Sequence, residues 1–547
     1  MRRIIFIAVG IMLSFAAFAQ QNFNFNPNKL PLFRKDTFNI VNLGAAMKGG
    51  EKVTAAITKA IEACNKKGGG VVLLPPGMWL SGPFTLKSNV NLHLATGATL
   101  VFSSNFDDYQ LVNTNWEGMP QIRNQSPINA DGAVNIAITG NGIIDGNGDA
   151  WRMVKKDKVN PGQWKRLIES GGIVSEDKKT WFPSAKSMYG NTFKNTGAIT
   201  PEKTIAFFDS VKDFLRPNMV MLANCKNVRF EGVTFQNSPA WCLHPMLCEN
   251  LVVKNIKVKN PAYAQNGDGI DVESCKNVWI ENSIFDVGDD ALCMKSGRDA
   301  DGRKRNKPTE NVIIKGCTVY ASHGGFVIGS EMSGGVKNVK VENCTFIGTD
   351  IGLRFKTTRG RGGVVENIVV NNIYMKDIVG EAMLFDMYYA AKDPVPQPGE
   401  KRELPKVEMK PVDETTPMFR NFSISNIYCD GAEKAIFIRG LPEAHINNIR
   451  FNNIYVKAKE GIDIQEASSI EMKNVEVISA NTNPSASIIN SDHLNFSQLK
   501  FSAATNLGFQ ISGDRNSHII IEQSDLSNCK EKYRLDAGAV EGVIQIK

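Results

Sequence analysis

The stretch NVRFEGVTF begins at Asn227 and is followed by NLVVKNIKV from Asn250 and NVWIENSIF from Asn277. Each string opens with asparagine and then alternates apolar and polar residues, as a β-strand with one buried face does. The pattern returns in three more close copies and three weaker ones, which begin at Asn311, Asn338, Asn367, Asn135, Asn421 and Asn448. One short unit of several strands therefore repeats along most of the chain.

The spacing of the repeats predicts how the units assemble. Successive copies from Asn227 onward lie 23, 27, 34, 27, 29, 54 and 27 residues apart. Units of this length stack as coils of a right-handed parallel β-helix. A β-propeller needs about 40–50 residues per blade, and a leucine-rich solenoid needs a leucine register that this chain lacks. We therefore predict an all-β protein with a single right-handed parallel β-helix over residues 20–547.

The composition agrees with one large folded body. The chain has 547 residues, 42% hydrophobic and 22% charged, and its 47 glycines and 23 prolines are too few for a low-complexity or collagen-like chain. At about 100–200 residues per domain, a chain of this length would have roughly three domains. A solenoid adds coils without enlarging its cross-section, so a single domain can hold the whole length. The net charge of +7 suits an anionic partner. The sequence has no basic tail of the kind that binds nucleic acid, so we expect no nucleic-acid partner.

The first residues have the parts of a secretory signal peptide. Arg2 and Arg3 precede an apolar run over Ile4–Ala19, which ends in an Ala-Phe-Ala cleavage site. The run has 16 residues, fewer than the roughly 20 of a membrane-spanning helix, and no later segment is long and apolar enough. We predict a signal peptide over residues 1–19 and an exported protein, periplasmic or secreted, without a membrane partner.

Three segments depart from the repeat. Glu51–Asn65 has the apolar spacing of an amphipathic helix, which predicts a capping helix over the open N-terminal end of the solenoid. Residues 150–217, with three tryptophans, and residues 390–418, rich in Pro, Lys and Glu, interrupt the period as insertions. Insertions in a solenoid emerge on one face, often the binding face, and plain solvated loops are the alternative.

The cysteines keep the same register as the repeat. Three lie two residues before a repeat asparagine and two lie six residues after one: Cys225, Cys248, Cys275, Cys317 and Cys344. Neighbouring coils lie about 4.8 Å apart, so these cysteines form stacked ladders. An exported protein permits disulfides, but buried free thiols are the favoured interpretation. No Cys-x-x-Cys pair or His/Cys cluster indicates a metal site.

Ionisable residues recur at a similar phase on four successive units. They are Asp268, 18 residues after Asn250; Asp289 and Asp290, 12 and 13 after Asn277; His323, 12 after Asn311; and Arg354 and Lys356, 16 and 18 after Asn338. Stacked coils would place them in one ladder along one side of the cylinder. Any one of these aspartates could be explained by a role in a turn. Three crowded carboxylates, however, repel one another and lower the stability of the fold. The whole set therefore indicates a functional site.

These groups suit acid–base hydrolysis of a glycosidic bond. Paired carboxylates supply the proton for the leaving oxygen and the base for water. Crowding raises at least one carboxyl pKa, so one group keeps its proton while others stay ionised. Arg354 and Lys356 are two residues apart and share one face of a strand. A guanidinium and an ammonium in this arrangement predict a clamp for a substrate carboxylate.

Four short blocks in this region resemble the signature of glycoside hydrolase family 28, the polygalacturonase and rhamnogalacturonase family. They are NGDGID (266–271), GDDALCMKSG (288–297), SHGG (322–325) and RFK (354–356). The resemblance covers nearly the whole chain after the signal peptide, and it implies a right-handed, pectin-lyase-like parallel β-helix. The blocks depart from the usual pattern at Gly267, Ser322 and Phe355, none of which removes a charged group.

The resemblance also implies catalytic roles for the matched residues. Asp289 corresponds to the general acid that protonates the leaving oxygen. Asp268 and Asp290 correspond to the bases that activate water, and His323 corresponds to the histidine that tunes the acid. The implied mechanism inverts the anomeric carbon, which needs carboxyl groups about 6.5–9.5 Å apart. It uses no metal and no organic cofactor.

The same resemblance implies how substrate is held. Arg354 and Lys356 correspond to residues that bind the galacturonate carboxylate near the cleavage point. Asn266, which opens the first block, is a further substrate-binding candidate. A tyrosine on the following coil is another, and either Tyr388 or Tyr389 fits that place.

The expected activity is hydrolysis of α-linked galacturonic acid residues in an acidic pectic polysaccharide or oligosaccharide, by a monomeric enzyme. The two insertions favour exo action because they could close one end of the groove. A rhamnogalacturonan hydrolase of the same family is the nearest alternative. A pectate lyase would need a calcium-binding cluster and an arginine base, and a non-catalytic carbohydrate-binding β-helix would not need the ionisable ladder.

Overall fold

The computed structural model of the chain describes residues 26–28, 31–46, 50–389 and 408–547. Most strands in these residues belong to two large parallel sheets. The signal peptide predicted over residues 1–19 lies outside the described residues, as do residues 390–407 of the second predicted insertion. The rest of that insertion is irregular until a strand begins at Met418.

The smaller sheet, which we call the front sheet, has 14 strands in the described residues, and it takes one strand from each successive coil. Its strands are Phe84–Thr85, Ile128–Asp131, Val220–Ala223, Leu243–Met246, Ile270–Glu273, Asp290–Lys295, Gly324–Ile328, Leu353–Lys356, Glu381–Asp386, Lys434–Arg439, Glu460–Gln465, Ala486–Ile489, Thr505–Ser512 and Cys529–Asp536.

The larger sheet, which we call the back sheet, has 23 strands in the same residues and forms the remaining walls of the coils. Its strands are Thr37–Asn39, Gly70–Leu74, Gly77–Ser81, Val90–Leu94, Ala98–Phe102, Val134–Gly140, Ile143–Asp145, Lys226–Glu231, Thr234–Gln236, Glu249–Lys254, Lys257–Lys259, Lys276–Glu281, Ile284–Asp286, Thr309–Lys315, Thr318–Tyr320, Val336–Ile347, Val364–Lys376, Met418–Asp430, Ile446–Ala458, Ala467–Ser479, Asp492–Phe501, Ser517–Glu522 and Ile544–Ile546.

The strands of the front sheet pair in a register that places apolar residues of neighbouring coils on top of one another. Leu243, Ile270, Leu292, Phe326 and Leu353 are paired from coil to coil, and all five side chains are fully buried. Alternate residues of the same strands face the other way, as the two-residue period requires. The apolar core therefore fills the inside of the cylinder. The chain is a right-handed parallel β-helix, and the fold class predicted from the repeat is confirmed.

The repeat asparagines are explained by a ladder of side-chain amides. Asn227, Asn250 and Asn277 have φ values of 57°, 61° and 60°, the left-handed region that asparagine tolerates better than most residues. The Asn250 amide donates to the Asn227 amide oxygen at 2.9 Å, and the Asn277 amide donates to that of Asn250 at 3.0 Å. Each coil thus turns at the same residue and is hydrogen-bonded there to its neighbour.

The helix predicted over Glu51–Asn65 runs from Thr54 to Lys66 and buries Ile57, Ile61 and Cys64 in the core beside the first strands. The other α-helices in the described residues are Pro161–Glu169, Ala185–Gly190, Ile205–Ser210 and Asp299–Arg305. Short 3₁₀ helices occur at Ile40–Leu43, Phe106–Asp108, Gly148–Ala150, Lys156–Lys158 and Lys212–Phe214. Of the helices that the structure describes, none has both the length and the apolar surface to cross a bilayer.

Residues 150–217 fold into a compact subregion rather than a solvated loop. Three short strands, Val154–Lys155, Ile173–Val174 and Thr180–Phe182, pair antiparallel. Trp164 and Trp181 are buried with Val154 in a separate small core. Two of the three tryptophans that the sequence analysis singled out in this insertion thus stabilise the insertion itself.

An antiparallel hairpin that the repeat pattern did not predict leaves the second coil, after the back strand Ala98–Phe102. Its strands are Leu111–Trp116 and Met119–Asn124, and we call it the front hairpin. It comes after the front strand Phe84–Thr85 and before the front strand Ile128–Asp131.

All ten cysteines are free and buried. Cys225, Cys248 and Cys275 stack on successive coils, and the backbone N–H of Cys248 donates to the Cys275 sulfur at 3.3 Å. The interpretation of the cysteine ladders as buried thiols therefore agrees with the structure. Their role is to fill the core between coils.

Candidate active site

The front sheet brings the predicted catalytic residues together on four successive coils. They lie on, or within two residues before, neighbouring strands of this sheet: Asp268, Asp289 and Asp290, His323, and Arg354 with Lys356. One carboxylate oxygen from each of the three aspartates lies within 4.8 Å of the others. The structure therefore has the ladder of ionisable groups that the phase of the repeat predicts.

Gly288 allows the two adjacent aspartates to reach the same site. A Cβ atom at this position would lie 2.4 Å from the Pro261 oxygen and 2.8 Å from the Ala264 oxygen, so only glycine lets these segments approach. The Asp289 carboxylate accepts hydrogen bonds from the backbone N–H of Asn266 at 3.1 Å and of Asp290 at 3.0 Å. Its position is thus set by the backbone of two coils.

Asp290 is the most strongly compensated carboxylate of the cluster. Arg354 donates to one of its oxygens at 3.0 Å and Lys356 to the other at 2.7 Å. Burial alone would raise the pKa of Asp290, but the charges of Lys356 and Arg354 lower it well below its usual range. The clamp that the sequence predicted for the substrate therefore holds Asp290 in this structure, and its contact with substrate stays a prediction. Asp290 pairs with Gly324 on the intervening strand, where a Cβ atom would lie 3.2 Å from the Arg354 side chain and 3.4 Å from that of Asp290, so the missing side chain lets them meet.

Asp268 has the opposite environment. Its side chain is buried, and its Oδ1 atom has no hydrogen-bond partner. Burial, followed by the charges of Asp271 and Asp289, raises the pKa of Asp268 well above its usual range. One carboxyl pKa is raised as predicted, but burial contributes more than the crowding of carboxylates.

The separation of about 6.5–9.5 Å between inverting carboxyl groups stays a prediction for this cluster. One carboxylate oxygen from each aspartate lies within 4.8 Å of the others, but that distance joins single oxygen atoms rather than whole carboxyl groups. The carboxyl separation therefore does not decide the stereochemistry.

His323 connects the general-acid candidate to a fourth carboxylate. Its Nδ1 atom lies 3.1 Å from Asp289, and its Nε2 atom lies 3.7 Å from Asp350. The hydrogen bond to Asp289 raises the pKa of His323, although burial lowers it. The charges of Asp289, Asp290 and Asp350 raise this pKa further. Sequence analysis missed Asp350, although it lies 12 residues after Asn338, the phase that Asp289 and His323 have in their own units.

The structure separates the two tyrosine candidates. The Tyr389 ring lies 4.9 Å from the Lys356 ammonium and 5.8 Å from the Arg354 guanidinium, both measured to the ring centroid. Tyr388 is buried and lies instead against Arg359 and Arg439. Of the two, only Tyr389 contacts the cations of the site. Asn266 contributes its backbone N–H to Asp289, while its side-chain oxygen accepts from Arg216 at 2.9 Å.

A buried ionic network adjoins the cluster. The Lys295 ammonium lies 2.9 Å from Glu331 and 3.6 Å from Asp271, and 4.7 Å from the Trp241 ring centroid. Although burial opposes it, the Lys295 charge lowers the pKa of Glu331 to about 2. The roles of Lys295 and Glu331 were missed from sequence, but Asp271 and Lys295 lie inside the first two matched blocks.

The front hairpin bounds the N-terminal side of the site. At its tip, Gly118 accepts a hydrogen bond from the Arg298 backbone N–H at 3.2 Å, and Glu117 lies 3.4 Å from the Arg298 guanidinium. Arg298 follows the strand that begins at Asp290, so the hairpin reaches from the second coil past three front strands. It therefore packs against the coil that carries Asp289 and Asp290.

The three carboxylates also form a group that could hold a cation. Divalent cations bind where several ionised oxygens converge. In this cluster Asp290 is already paired with Arg354 and Lys356, and the raised pKa of Asp268 favours its neutral form. The charge balance therefore fits acid–base chemistry better than cation binding.

Comparison with known proteins agrees with this geometry. Residues 208–426, which contain the three aspartates, match the model of glycosyl hydrolases family 28. The chain is 27% identical over 456 residues to an exo-poly-alpha-D-galacturonosidase of Dickeya chrysanthemi, covering 80% of this chain and 70% of the relative. It is 25% identical over 437 residues to a probable polygalacturonase of Vitis vinifera, covering 77% and 74%.

A solved structure extends the likeness to the fold. The hyperthermoactive exopolygalacturonase of Thermotoga maritima is 30% identical to this chain, with a TM-score of 0.65. The superposition covers 83% of this chain and 94% of that one. The fold is thus shared over most of this chain.

Proposed function

Because this chain belongs to glycosyl hydrolases family 28, we propose that it hydrolyses α-linked galacturonic acid residues in pectic polysaccharides or oligosaccharides. One observation carries the proposal. Three aspartates converge within 4.8 Å, and two cations and a histidine contact two of them. Relatives named polygalacturonases support the substrate class.

We assign the proton transfers by the environments of the carboxyl groups. Asp289 has more exposed surface than Asp268 and Asp290 and protonates the leaving oxygen, with His323 holding it in place. Asp290, kept ionised by Arg354 and Lys356, takes a proton from the attacking water, as a base must. Asp268 hydrogen-bonds the same water. No step requires a bound metal or an organic cofactor.

The stereochemical course is a proposal that the carboxyl separation leaves open. We propose inversion, because two of the carboxylates act on water and none is required as a nucleophile. Proton NMR of freshly formed product tests this within minutes of mixing, before the anomers equilibrate. Initial product of inverted configuration supports the assignment, and product of retained configuration contradicts it.

We propose exo action, with sugars removed from a chain end. The front hairpin packs against the coil that carries Asp289 and Asp290, and we infer that it limits how far a polymer extends on that side of the site. Product sizes from homogalacturonan, rhamnogalacturonan and galacturonate oligosaccharides, followed over time, test both the substrate and the mode. Short products of constant size from homogalacturonan are expected. Early production of a broad ladder of fragments would indicate endo cleavage, and a preference for rhamnogalacturonan would favour the alternative hydrolase.

A lyase and a non-catalytic binding protein are distinguished by the same reactions. A pectate lyase would release unsaturated, ultraviolet-absorbing ends and would depend on calcium. We expect saturated products and unchanged rates in a calcium chelator. Binding to the polymers without any cleavage would favour the non-catalytic alternative.

We also propose that residues 1–19 direct export to the periplasm or medium and that the mature enzyme is a monomer with no membrane partner. N-terminal sequencing of the exported protein should give Gln20 as the first residue. Light scattering after gel filtration should give the mass of one chain. An uncleaved N terminus or a dimeric mass would contradict these proposals.

A further inference from the structure

A cavity of about 170 Å³ lies next to the catalytic carboxylates, between the front hairpin and the insertion. Its walls include Trp116, Glu117, Arg123, Arg216 and Asn266. Asn266 also donates its backbone N–H to the Asp289 carboxylate. The cavity and the proposed active site therefore share a wall.

Two arginines form the charged part of this cavity. The Arg123 side chain is almost fully buried, and its guanidinium carbon lies 3.5 Å from the Trp116 ring centroid. The Arg216 guanidinium carbon lies 5.9 Å from the same centroid. Trp116 in turn stacks on Trp241, with the centroids 5.7 Å apart and the planes 14° from parallel. Rigid aromatic surfaces thus fix the positions of both cations.

The hydrogen bonds of these arginines go to neutral oxygens. Arg123 donates to the backbone oxygen of Arg216 at 2.8 Å and to the side chain of Gln121 at 3.3 Å. Arg216 donates to the backbone oxygens of Pro239 and Gln265 and to the Asn266 side chain. Within the described residues, no carboxylate forms an ion pair with either arginine, since Glu117 pairs with Arg298 instead.

Two neighbouring cations are costly in a buried site unless other charges balance them. The charge of Glu117 balances both arginines in part, and those of Asp289 and Asp268 balance Arg216, without a direct ion pair. Burial lowers the pKa of both arginines, that of Arg216 to about 10, and the charge of Arg216 lowers that of Arg123 further. An arriving anion would relieve this repulsion and would find planar donors suited to a carboxylate. Arg354 and Lys356 are paired with Asp290 in this structure, whereas Arg123 and Arg216 form no ion pair with a carboxylate of the described residues.

We propose that Arg123 and Arg216 bind the carboxylate of the terminal uronic acid of the substrate and thereby select chain ends that are not esterified. This inference rests on the proposed galacturonan hydrolysis. The hairpin supplies one wall of the cavity, and we place the end of the chain in it rather than a continuing polymer. The site thus adds a second point of charge recognition, separate from Arg354 and Lys356.

The test compares three trigalacturonates: one unmodified, one methyl-esterified on the first residue and one on the last. For the wild-type enzyme, the ester at one end should lower kcat/KM by about tenfold or more, because a charged hydrogen-bonded contact is lost. In Arg123→Gln the same ester should change kcat/KM by less than about twofold, since its partner is absent. Arg123→Lys keeps the charge and should retain part of the discrimination.

Lys156→Gln is the matched control, because Lys156 is an exposed cation of the insertion that lies over Trp164, outside the cavity wall. It should discriminate as the wild type does. The wild-type comparison needs no variant, so it decides the matter even if Arg123→Gln does not fold. Equal hydrolysis of all three substrates by the wild type, or full discrimination in folded Arg123→Gln, would overturn the inference. Failure of the wild type to hydrolyse any of them would overturn the proposed function as well.

Discussion

The carboxylate cluster and the hairpin cavity meet at Asn266, and they balance their charges in opposite ways. In the cluster, Asp290 is paired with both Arg354 and Lys356. In the cavity, Arg123 and Arg216 donate to neutral oxygens. The cations of the cluster are therefore paired with a carboxylate of the protein itself, and their contact with substrate stays a prediction. The cations of the cavity are the ones that we propose for the terminal carboxylate of the substrate.

Asp289→Asn tests the cluster side of this comparison with the largest expected effect. The amide cannot give up a proton as an acid, so kcat should fall by about 10²–10⁴. The fold should persist, because the carboxylate is partly exposed and the core is untouched. Rates on galacturonate oligosaccharides, with circular dichroism to confirm folding, give the measurement.

Asp286→Asn is the matched control for that variant. Asp286 lies three residues earlier in the same coil but on the back sheet. It should retain wild-type kcat. Substantial residual activity in Asp289→Asn would remove Asp289 from its role as the acid.

Lys356→Met tests whether the clamp serves Asp290. The pKa of Asp290 is lower in the folded protein than in the unfolded chain, where it is about 3.9. The ion pairs of Asp290 therefore stabilise the fold at pH values above about 3.9. This stabilisation is lost as the pH falls through the folded pKa. Without Lys356 the pKa of Asp290 should rise, and acid unfolding should begin at a higher pH. The free energy of unfolding should fall by up to about 3 kcal/mol, since Arg354 remains.

The activity of Lys356→Met also shows whether Lys356 acts on Asp290. The acidic limb of the kcat profile should move to higher pH as the base becomes less ionised, so kcat should fall most at the acidic end of the profile. If Lys356 served only the substrate carboxylate, KM would rise while the acidic limb and the acid stability stayed unchanged. That result would contradict the assignment.

Asp350→Asn should have the smallest effect. Asp350 lies 3.7 Å from His323 and is half exposed, so its charge contributes weakly. The raised pKa of His323 should fall, and the histidine should lose its proton at a lower pH in an NMR titration. The change in kcat/KM should stay below about fivefold. An unchanged titration would show that Asp350 does not act on His323.

The coils of the β-helix could be predicted from the sequence because the pattern of asparagine and alternating apolar residues repeats with each coil. Asn227 and its successors repeat with the coils, so both the β-helix and the phase of Asp289 and His323 follow from spacing. Asp350 has the same phase and could have been found in the same way. The spacing also placed Arg354 and Lys356 on one strand face, but it could not tell that they would meet Asp290 rather than solvent.

The irregular part carries no such signal. The front hairpin occurs once, so no repeat marks Trp116 or Arg123, and its contact with Arg298 joins residues about 180 positions apart. Tyr388 and Tyr389 are adjacent in the sequence, and only the turn after the strand Glu381–Asp386 decides which one reaches the cations. Contacts made by insertions and turns depend on packing between distant coils, which pattern alone does not encode.

Mass spectrometry of products formed in H₂¹⁸O tests most directly whether the carboxylate cluster activates water. The wild-type enzyme should cleave trigalacturonate in a calcium chelator, and each new reducing end should carry one ¹⁸O atom. Samples are quenched early, and unlabelled product kept in H₂¹⁸O corrects for slow exchange. Unsaturated products without ¹⁸O, or no cleavage at all, would contradict the account.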